Sequence, residues 1–391
     1  AGLSEGLATP ADSFVDTLGV TTHFGYPDSS YATLRDTIAL PALSELGVRH
    51  IRESATPQTP LILTQSGLGL LLVCRGSALL ETVEVAKAFG ATLEAIEGPS
   101  DTDYRPETFS YGGQAFPEGT RAYQNDLFAA FSGEPALAHI PIVLPTVYAA
   151  ANAEVLGALE SGTHCNVHSR EPLGATPGED ADRLIEESRR SCGDVRPMMA
   201  TSVSYSSLET QAGAVSELTA AKYLMRSALA YFSRGVERFY VYELMNEQPD
   251  PAGALPDLHR GLLRADGTRK PAFTALANLI AQLSDPGAPF QATPLTYGLE
   301  GQVAGLQQLL LQKRDGTFHL LLWQEVASWD PASQQALYVP EVNLELRLGQ
   351  LASMVEVFRP LESASAVSSF ASVDRVSVTV PDHPIVVRVA M

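Results

Sequence analysis

Two apolar runs in this chain end in side chains that can do chemistry. Leu93–Asp103 reads Leu-Glu-Ala-Ile-Glu-Gly-Pro-Ser-Asp-Thr-Asp: a short hydrophobic stretch, a carboxylate, a Gly-Pro break and two more acids. A buried strand that leaves a sheet and delivers polar groups to its rim has this pattern. Met198–Tyr205, Met-Met-Ala-Thr-Ser-Val-Ser-Tyr, is a second apolar run, ending in hydroxyls. Rim carboxylates act as general acids and bases, whereas a hydroxyl attacks only when a base stands beside it. The acids at such strand ends are Glu53, Glu97, Asp101, Asp103, Glu243 and Glu247. His23 and His168 are the imidazole candidates, and Tyr26, Tyr104, Tyr148, Tyr205 and Tyr242 the aromatic ones.

Each of these groups also has a purely architectural use. A carboxylate at a strand end anchors hydrogen bonds or ion pairs, and Arg49 and Arg52 stand near Glu53 to supply them. His168, in Asn166-Val167-His168, reads as an oriented hydrogen-bond donor. The tyrosines of the 104–123 loop either stack on a ligand or pack that loop. Asp101-Thr-Asp103 lacks the ligand loop that calcium needs. No His/Cys cluster, Ser-His-Asp order, G-x-S-x-G or phosphate loop occurs, so no metal and no cofactor is expected.

The elements that must position these residues alternate. Strands are expected at Val20–Phe24, Val48–Glu53, Leu68–Cys74, Thr92–Glu97, Ile140–Leu144, His164–His168, Pro197–Ser202 and Arg238–Glu243. Helices are expected at Ser30–Leu46, Ala78–Phe89, Thr120–Phe131, Ala153–Glu160, Glu179–Ser191, Ala212–Arg234 and Pro271–Leu283. Leu68–Cys74 is an unbroken apolar run, as in strands buried on both faces. Strand-then-helix units in this number over about 270 residues define an α/β fold of the (β/α)8, or TIM-barrel, kind. In such a barrel the C-terminal ends of the strands share one cavity, so Asp101 and Ser202 are expected to face it together. After Pro286-Gly-Ala-Pro289 the period changes to two, with Val342, Leu344, Leu346 and Leu348 on one face and Asn343, Glu345 and Arg347 on the other. That pattern predicts a small antiparallel β-sandwich. Two domains follow, a barrel over 1–285 and a sandwich over 286–391.

Composition narrows the partners. The 391 residues are 45% hydrophobic and carry a net charge of −19, which disfavours nucleic acid and anionic membrane surfaces. No apolar run of about 18 residues occurs, so no membrane insertion is expected. Cys165 and Cys192 flank one helical segment and either pair in an exported protein or remain buried thiols; Cys74 reads as a core residue. The Ala-Gly-Leu start, without an initiator Met, reads as a processed end. A secreted or cell-envelope location is expected.

Four segments together resemble the bacterial clan A glycoside hydrolases whose barrel is followed by a small β-sandwich. They are Glu97-Gly-Pro-Ser-Asp-Thr-Asp103, Ala200-Thr-Ser-Val-Ser-Tyr205, Tyr242-Glu-Leu244 and Gly261-Leu-Leu263 with Lys270-Pro-Ala272. Lys313-Arg-Asp-Gly-Thr-Phe-His-Leu-Leu-Leu-Trp323 extends the resemblance into the sandwich. In that group the fourth strand ends Glu-Gly-Pro-Asn-Glu-x-Asp, where the second Glu is the acid/base. The seventh ends Thr-Glu-x-Gly-Tyr, where the Glu is the nucleophile. Here Ser100 and Asp101 stand for the Asn-Glu pair, and Ser202 stands at the nucleophile position. The resemblance implies an oligosaccharide or polysaccharide partner, with Asp101 and Ser202 at the catalytic positions; Glu243 joins them as a catalytic candidate from its strand end, and Glu53, Glu97, Ser100, Asp103, Tyr148, His168, Tyr205 and Tyr242 are the candidates for the binding surface.

A retaining glycosidase needs two carboxyl groups about 5–5.5 Å apart, and Ser202 supplies none. Three readings follow. The first is a degenerate hydrolase that binds a saccharide or serves as a structural module. The second is an inverting enzyme with a relocated pair, Asp101 with Glu243 or Glu53, which needs about 6.5–9.5 Å between carboxyls. The third is unrelated chemistry in the same cavity.

Overall fold

The structure is a computed structural model and describes residues 2–54, 66–75, 79–169, 174–193, 195–301 and 303–391. Apolar β-branched and leucine-rich runs that must be covered on both sides form its central sheet. Eight parallel strands, Leu18–Thr21, His50–Ser54, Gly69–Val73, Leu93–Glu97, Ile142–Val143, Cys165–His168, Met198–Val203 and Arg238–Val241, are joined in one sheet. Arg238–Val241 pairs with both Leu18–Thr21 and Met198–Val203, and a parallel bridge between Val143 and His164 closes the ring. Inside it, Leu71, Val73, Ala95, Val143, Met199 and Tyr240 fill the barrel. Gly19 is required beside them, because a Cβ there would meet the Tyr240 ring at 2.5 Å.

Helices cover the outside. Pro271–Leu283 forms as expected. The Ala153–Glu160 expectation shortens to Asn152–Leu156, where Gly157 turns the backbone at φ 71°. The expected Ala212–Arg234 helix starts later, at Glu217, because Ser216 caps it by accepting the Thr219 N–H. The run from Ser30 to Leu46 is interrupted by a π-helical turn at Arg35–Ala39 just before Pro41, which lacks the N–H an α-helix would use there. Cys165 and Cys192 are disulfide-bonded, with 5.5 Å between their Cα atoms, and tie the sixth strand to the end of helix Pro177–Cys192. Cys74 is a buried free thiol.

The second sheet runs, in order, Ser4–Leu7, Pro294–Glu300, Val342–Phe358, Ile385–Ala390, Phe318–Gln324, Leu306–Gln312 and Thr9–Pro10, with Ala366–Val380 also on Val342–Phe358. Its buried face carries Leu344, Leu346, Leu348, Val376, Val378 and Val380, the alternation the sequence shows. Ser4–Leu7 pairs antiparallel with Pro294–Glu300, and Thr9–Pro10 runs parallel beside Leu306–Gln312, so these two short strands, which fall within the expected 1–285 unit, belong to the second sheet. Such short strands lack the periodicity that would reveal them.

Arg226 joins the two units. It lies fully buried on helix Glu217–Ser233, pairs with Glu325 at 2.8 Å and donates to the carbonyls of Val326 and Asp382. Trp323 donates its indole N–H to the same Glu325 carboxylate, and Trp329 is buried. Both tryptophans are thereby committed to structure. Arg226→Ala is expected to destabilise the protein by about 3 kcal/mol or more, because it strands a partly buried carboxylate. Urea denaturation of the variant checks this, and an unchanged midpoint would refute the joint.

Candidate functional site

Strand ends at the barrel mouth carry an alternating series of charges. Arg52, on the second strand, donates to Glu97 on the fourth through Nε at 2.6 Å and Nη2 at 3.0 Å. Glu97 is fully buried and also accepts from Ser100 Oγ at 3.0 Å and Asn166 Nδ2 at 3.2 Å. His168, at the end of the sixth strand, places Nε2 at 3.1 Å from Glu97 and 2.8 Å from Thr201 Oγ1, and Nδ1 at 2.6 Å from Asp101. Thr201 gives its own proton to Asn166 Oδ1 at 2.7 Å, so it accepts from the imidazole. Both ring nitrogens therefore face acceptors, and the ring is an imidazolium.

The charges agree with that assignment. Burial alone would lift the Glu97 carboxyl, but the charges of Arg52 and His168 outweigh it and hold it well below the usual range. Burial likewise opposes the ionised form of Asp101, and the His168 charge and hydrogen bond, helped by Thr146, carry it downward. Burial would lower His168, yet Asp101 and Glu97 raise it. Asp101 sits in the left-handed region at φ 56°, and its backbone N–H donates to the Thr146 carbonyl, which fixes its side chain on His168. Gly98 makes room for this turn, since a Cβ there would lie 2.0 Å from Gln124 Oε1.

The expected residues divide into groups. Glu97, Ser100, Asp101 and His168 come together in this network, and the register sets Ser202 opposite His168. Ser202 is half-buried, and the hydroxyl that enters the network is that of its neighbour Thr201, two residues beyond the inward-packed Met199. Tyr205 corrects an expectation: it is buried outside the mouth, with its hydroxyl 2.9 Å from Ser227 and its ring edge-on to Tyr223. Asp103 is an anchor instead of a ligand-facing group, because its two oxygens accept from the Tyr148 and Ala149 N–H groups and from Asn152. Glu53 is buried beneath the rim, accepting from Thr22, Phe24 and Ser54, and burial pushes its carboxyl up to about 8 against those donors.

Among the tyrosines of the long loop, packing is seen for two, and the third meets Tyr148 at the surface. Tyr111 packs on the buried Tyr123 with ring centres 5.1 Å apart. Tyr104 and Tyr148 stay exposed and lie against one another at 4.2 Å, with Arg105 over the Tyr104 ring.

Across the first and eighth strands stands a second group. Glu243, fully buried, accepts from the Tyr31 hydroxyl at 3.0 Å, and Tyr242 reaches Glu247 at 3.4 Å. Burial, then the neighbouring Glu247 charge, raises the Glu243 carboxyl well above its ordinary value, and burial raises Glu247 as well. Beside the eighth strand a cleft of about 510 Å³ is lined by Asn246, Asp250, His259 and Lys270 among others. Lys270 donates to Ser207, Asn246 and the His259 carbonyl, and burial pushes it down to about 8. Sequence reasoning missed Thr201, Thr146 and Tyr31 as members of the site. Alternation from Met199 could have flagged Thr201, whereas no local pattern marks Tyr31.

A closed parallel barrel followed by an antiparallel sandwich is also the fold of family 39 glycoside hydrolases, to which this chain is similar in structure. A family 39 glycoside hydrolase from the gut symbiont Bacteroides cellulosilyticus WH2 superposes with a TM-score of 0.63 at 12% identity, over 98% of this chain and 83% of that one. A glucosidase from Croceicoccus marinus gives 0.62 at 12%, over 100% and 98%. A monomeric β-xylosidase from Caulobacter crescentus CB15 gives 0.62 at 13%, over 98% and 97%. No family profile matches the sequence, and no curated protein does. These likenesses establish the fold.

The sign of the pH dependence follows from the network. His168 is raised on folding, so its stabilisation is complete below about pH 6.5, the unfolded value, and is lost as pH rises through the folded one. Glu97 and Asp101 are lowered, so theirs is present above about pH 4 and is lost in acid. His168→Gln is expected to cost about 3 kcal/mol near pH 6, with the deficit shrinking on the alkaline side. Urea midpoints of both proteins across pH check this; a deficit independent of pH would contradict the imidazolium.

Proposed function

We propose that this chain is a saccharide-binding barrel on a glycoside hydrolase fold that does not run the retaining reaction. One observation carries the reading: the Asp101 carboxyl, which the resemblance sets at the acid/base position, lies 2.6 Å from His168 Nδ1, and against its burial the His168 charge lowers it, which disfavours the protonated form a leaving oxygen would need. Ser202, at the nucleophile position, brings no carboxylate for attack on an anomeric carbon. Binding of a neutral sugar remains within reach of the same mouth. The exposed Tyr104–Tyr148 pair offers an apolar face, and Tyr148 follows the backbone that Asp103 fixes. The neighbours' names, a glucosidase and a β-xylosidase, make β-glucosides and β-xylosides the first ligands to try. The Cys165–Cys192 bond supports an exported or cell-envelope location, since such bonds persist where the surroundings oxidise.

A second reading, an inverting hydrolase with a relocated pair, is favoured by Glu243. Burial raises its carboxyl, the direction a general acid needs, while at Asp101 the His168 charge outweighs burial and lowers the carboxyl, the direction a base needs. The electrostatics thus reverse the roles the sequence suggests, where Asp101 is the acid.

Calorimetry with xylo- and gluco-oligosaccharides, run beside proton NMR of any product anomers, separates these readings. We expect saturable binding, negligible turnover of aryl β-glycosides, and roughly 2- to 10-fold weaker binding for Tyr148→Ala. A trapped glycosyl-enzyme intermediate would overturn the proposal. Inverted product that disappears in Asp101→Asn would replace it with the second reading.

A further inference from the structure

His23, Glu243 and Glu247 converge where the first and eighth strands end, on loops far apart in sequence. One ligand atom from each lies within 4.8 Å of the others. His23 Nε2 is 3.4 Å from Glu243 Oε2 and 3.5 Å from Glu247 Oε1. Neither contact has hydrogen-bond geometry, and both His23 nitrogens and Glu243 Oε1 are buried without a hydrogen-bond partner. Buried polar groups are ordinarily satisfied, so an imidazole with both nitrogens unpartnered, set against two carboxylates whose facing oxygens accept only from Tyr31 and Tyr242, asks for something between them.

The chemistry of the three atoms says what that is. His23 is enclosed by Tyr26, stacked at 4.7 Å, and by the edges of Tyr31 and Tyr242 at 5.8 and 5.5 Å. Neither ring nitrogen has a hydrogen-bond partner, so one of them can offer its lone pair to a metal. The two glutamates are acceptors whose like charges oppose each other. Ligand atoms at about 2.0–2.2 Å from a tetrahedral metal lie roughly 3.4 Å from one another, which is the spacing His23 keeps to each carboxylate. Lys270 and Arg260 are the cations that act on Glu243, and hydrogen bonds commit Lys270 to Ser207, Asn246 and His259.

We propose that His23, Glu243 and Glu247 bind one divalent first-row transition-metal ion, with zinc favoured by the mixed imidazole and carboxylate donors and manganese next. A dication between them would offset the charges of both carboxylates. Tyr31 holds Glu243 Oε2 from outside the donor set, the kind of support metal-binding carboxylates receive. Three protein ligands leave a coordination position for water or a hydroxyl. The site does not depend on the saccharide reading, because it is defined by binding alone.

The test uses the full chain stripped with chelator and titrated with ZnCl2 and MnCl2, read by calorimetry, by metal content after desalting and by the thermal midpoint. One equivalent of Zn²⁺ or Mn²⁺ is expected, with a raised midpoint. Glu247→Gln, on the least buried of the three ligands, should weaken binding at least 10-fold while folding normally, and His23→Gln should do the same if it folds. Glu118→Gln, on an exposed helix start, should leave binding unchanged. No uptake at millimolar metal would overturn the proposal, and so would uptake that survives Glu247→Gln undiminished.

Discussion

The salt-bridged chain Arg52–Glu97–His168–Asp101 sets the terms for the mouth of this barrel. It draws on the second, fourth and sixth strands and, through Thr201, on the seventh. Buried ions are stable only when each has an opposite neighbour and its remaining hydrogen-bond sites are used. Here positive and negative groups alternate, and Ser100, Asn166, Thr146 and Thr201 satisfy the oxygens and nitrogens left over. The network is neutral in sum and costly to disturb at any member.

The other side of the mouth is built on the opposite principle. His23, Glu243 and Glu247 contribute two acids and an imidazole, with no cation hydrogen-bonded among them. The surrounding aromatic rings exclude water and so sharpen the imbalance. Within one rim, therefore, one sector has its charge balanced by its own residues and the other has not.

Much of the architecture could be read from the chain because buried parallel strands leave an unmistakable apolar signature, as in Leu70-Leu71-Leu72-Val73. Period-two alternation at Leu344, Leu346 and Leu348 marked the sandwich as clearly. The two N-terminal strands could not be read, since four residues of Ser-Glu-Gly-Leu and a Thr-Pro pair acquire their role only from a partner sheet near the other end of the chain. Site membership was harder for the same reason. Glu97 and Asp101 share one motif and were visible; Tyr31 reaches Glu243 across the fold, and nothing near either residue encodes that meeting. Tyr205 misled because its strand places it just past the rim, where the chain has already turned outward to meet Ser227.

Identity of 12–13% to structures of the same shape means that packing rules, not particular side chains, preserve this fold. The barrel interior demands volume and apolarity, which Leu71, Val73, Met199 and Tyr240 supply as well as many other sets would. The rim demands something stricter, because a buried charge without its partner is worse than none. At Asp101 the rim meets that demand with the His168 imidazole 2.6 Å from the carboxylate, and the left-handed backbone at Asp101 with the turn after Glu97 brings the two together. Changing the length of the acid at 101 would therefore disturb the whole network and not one contact alone.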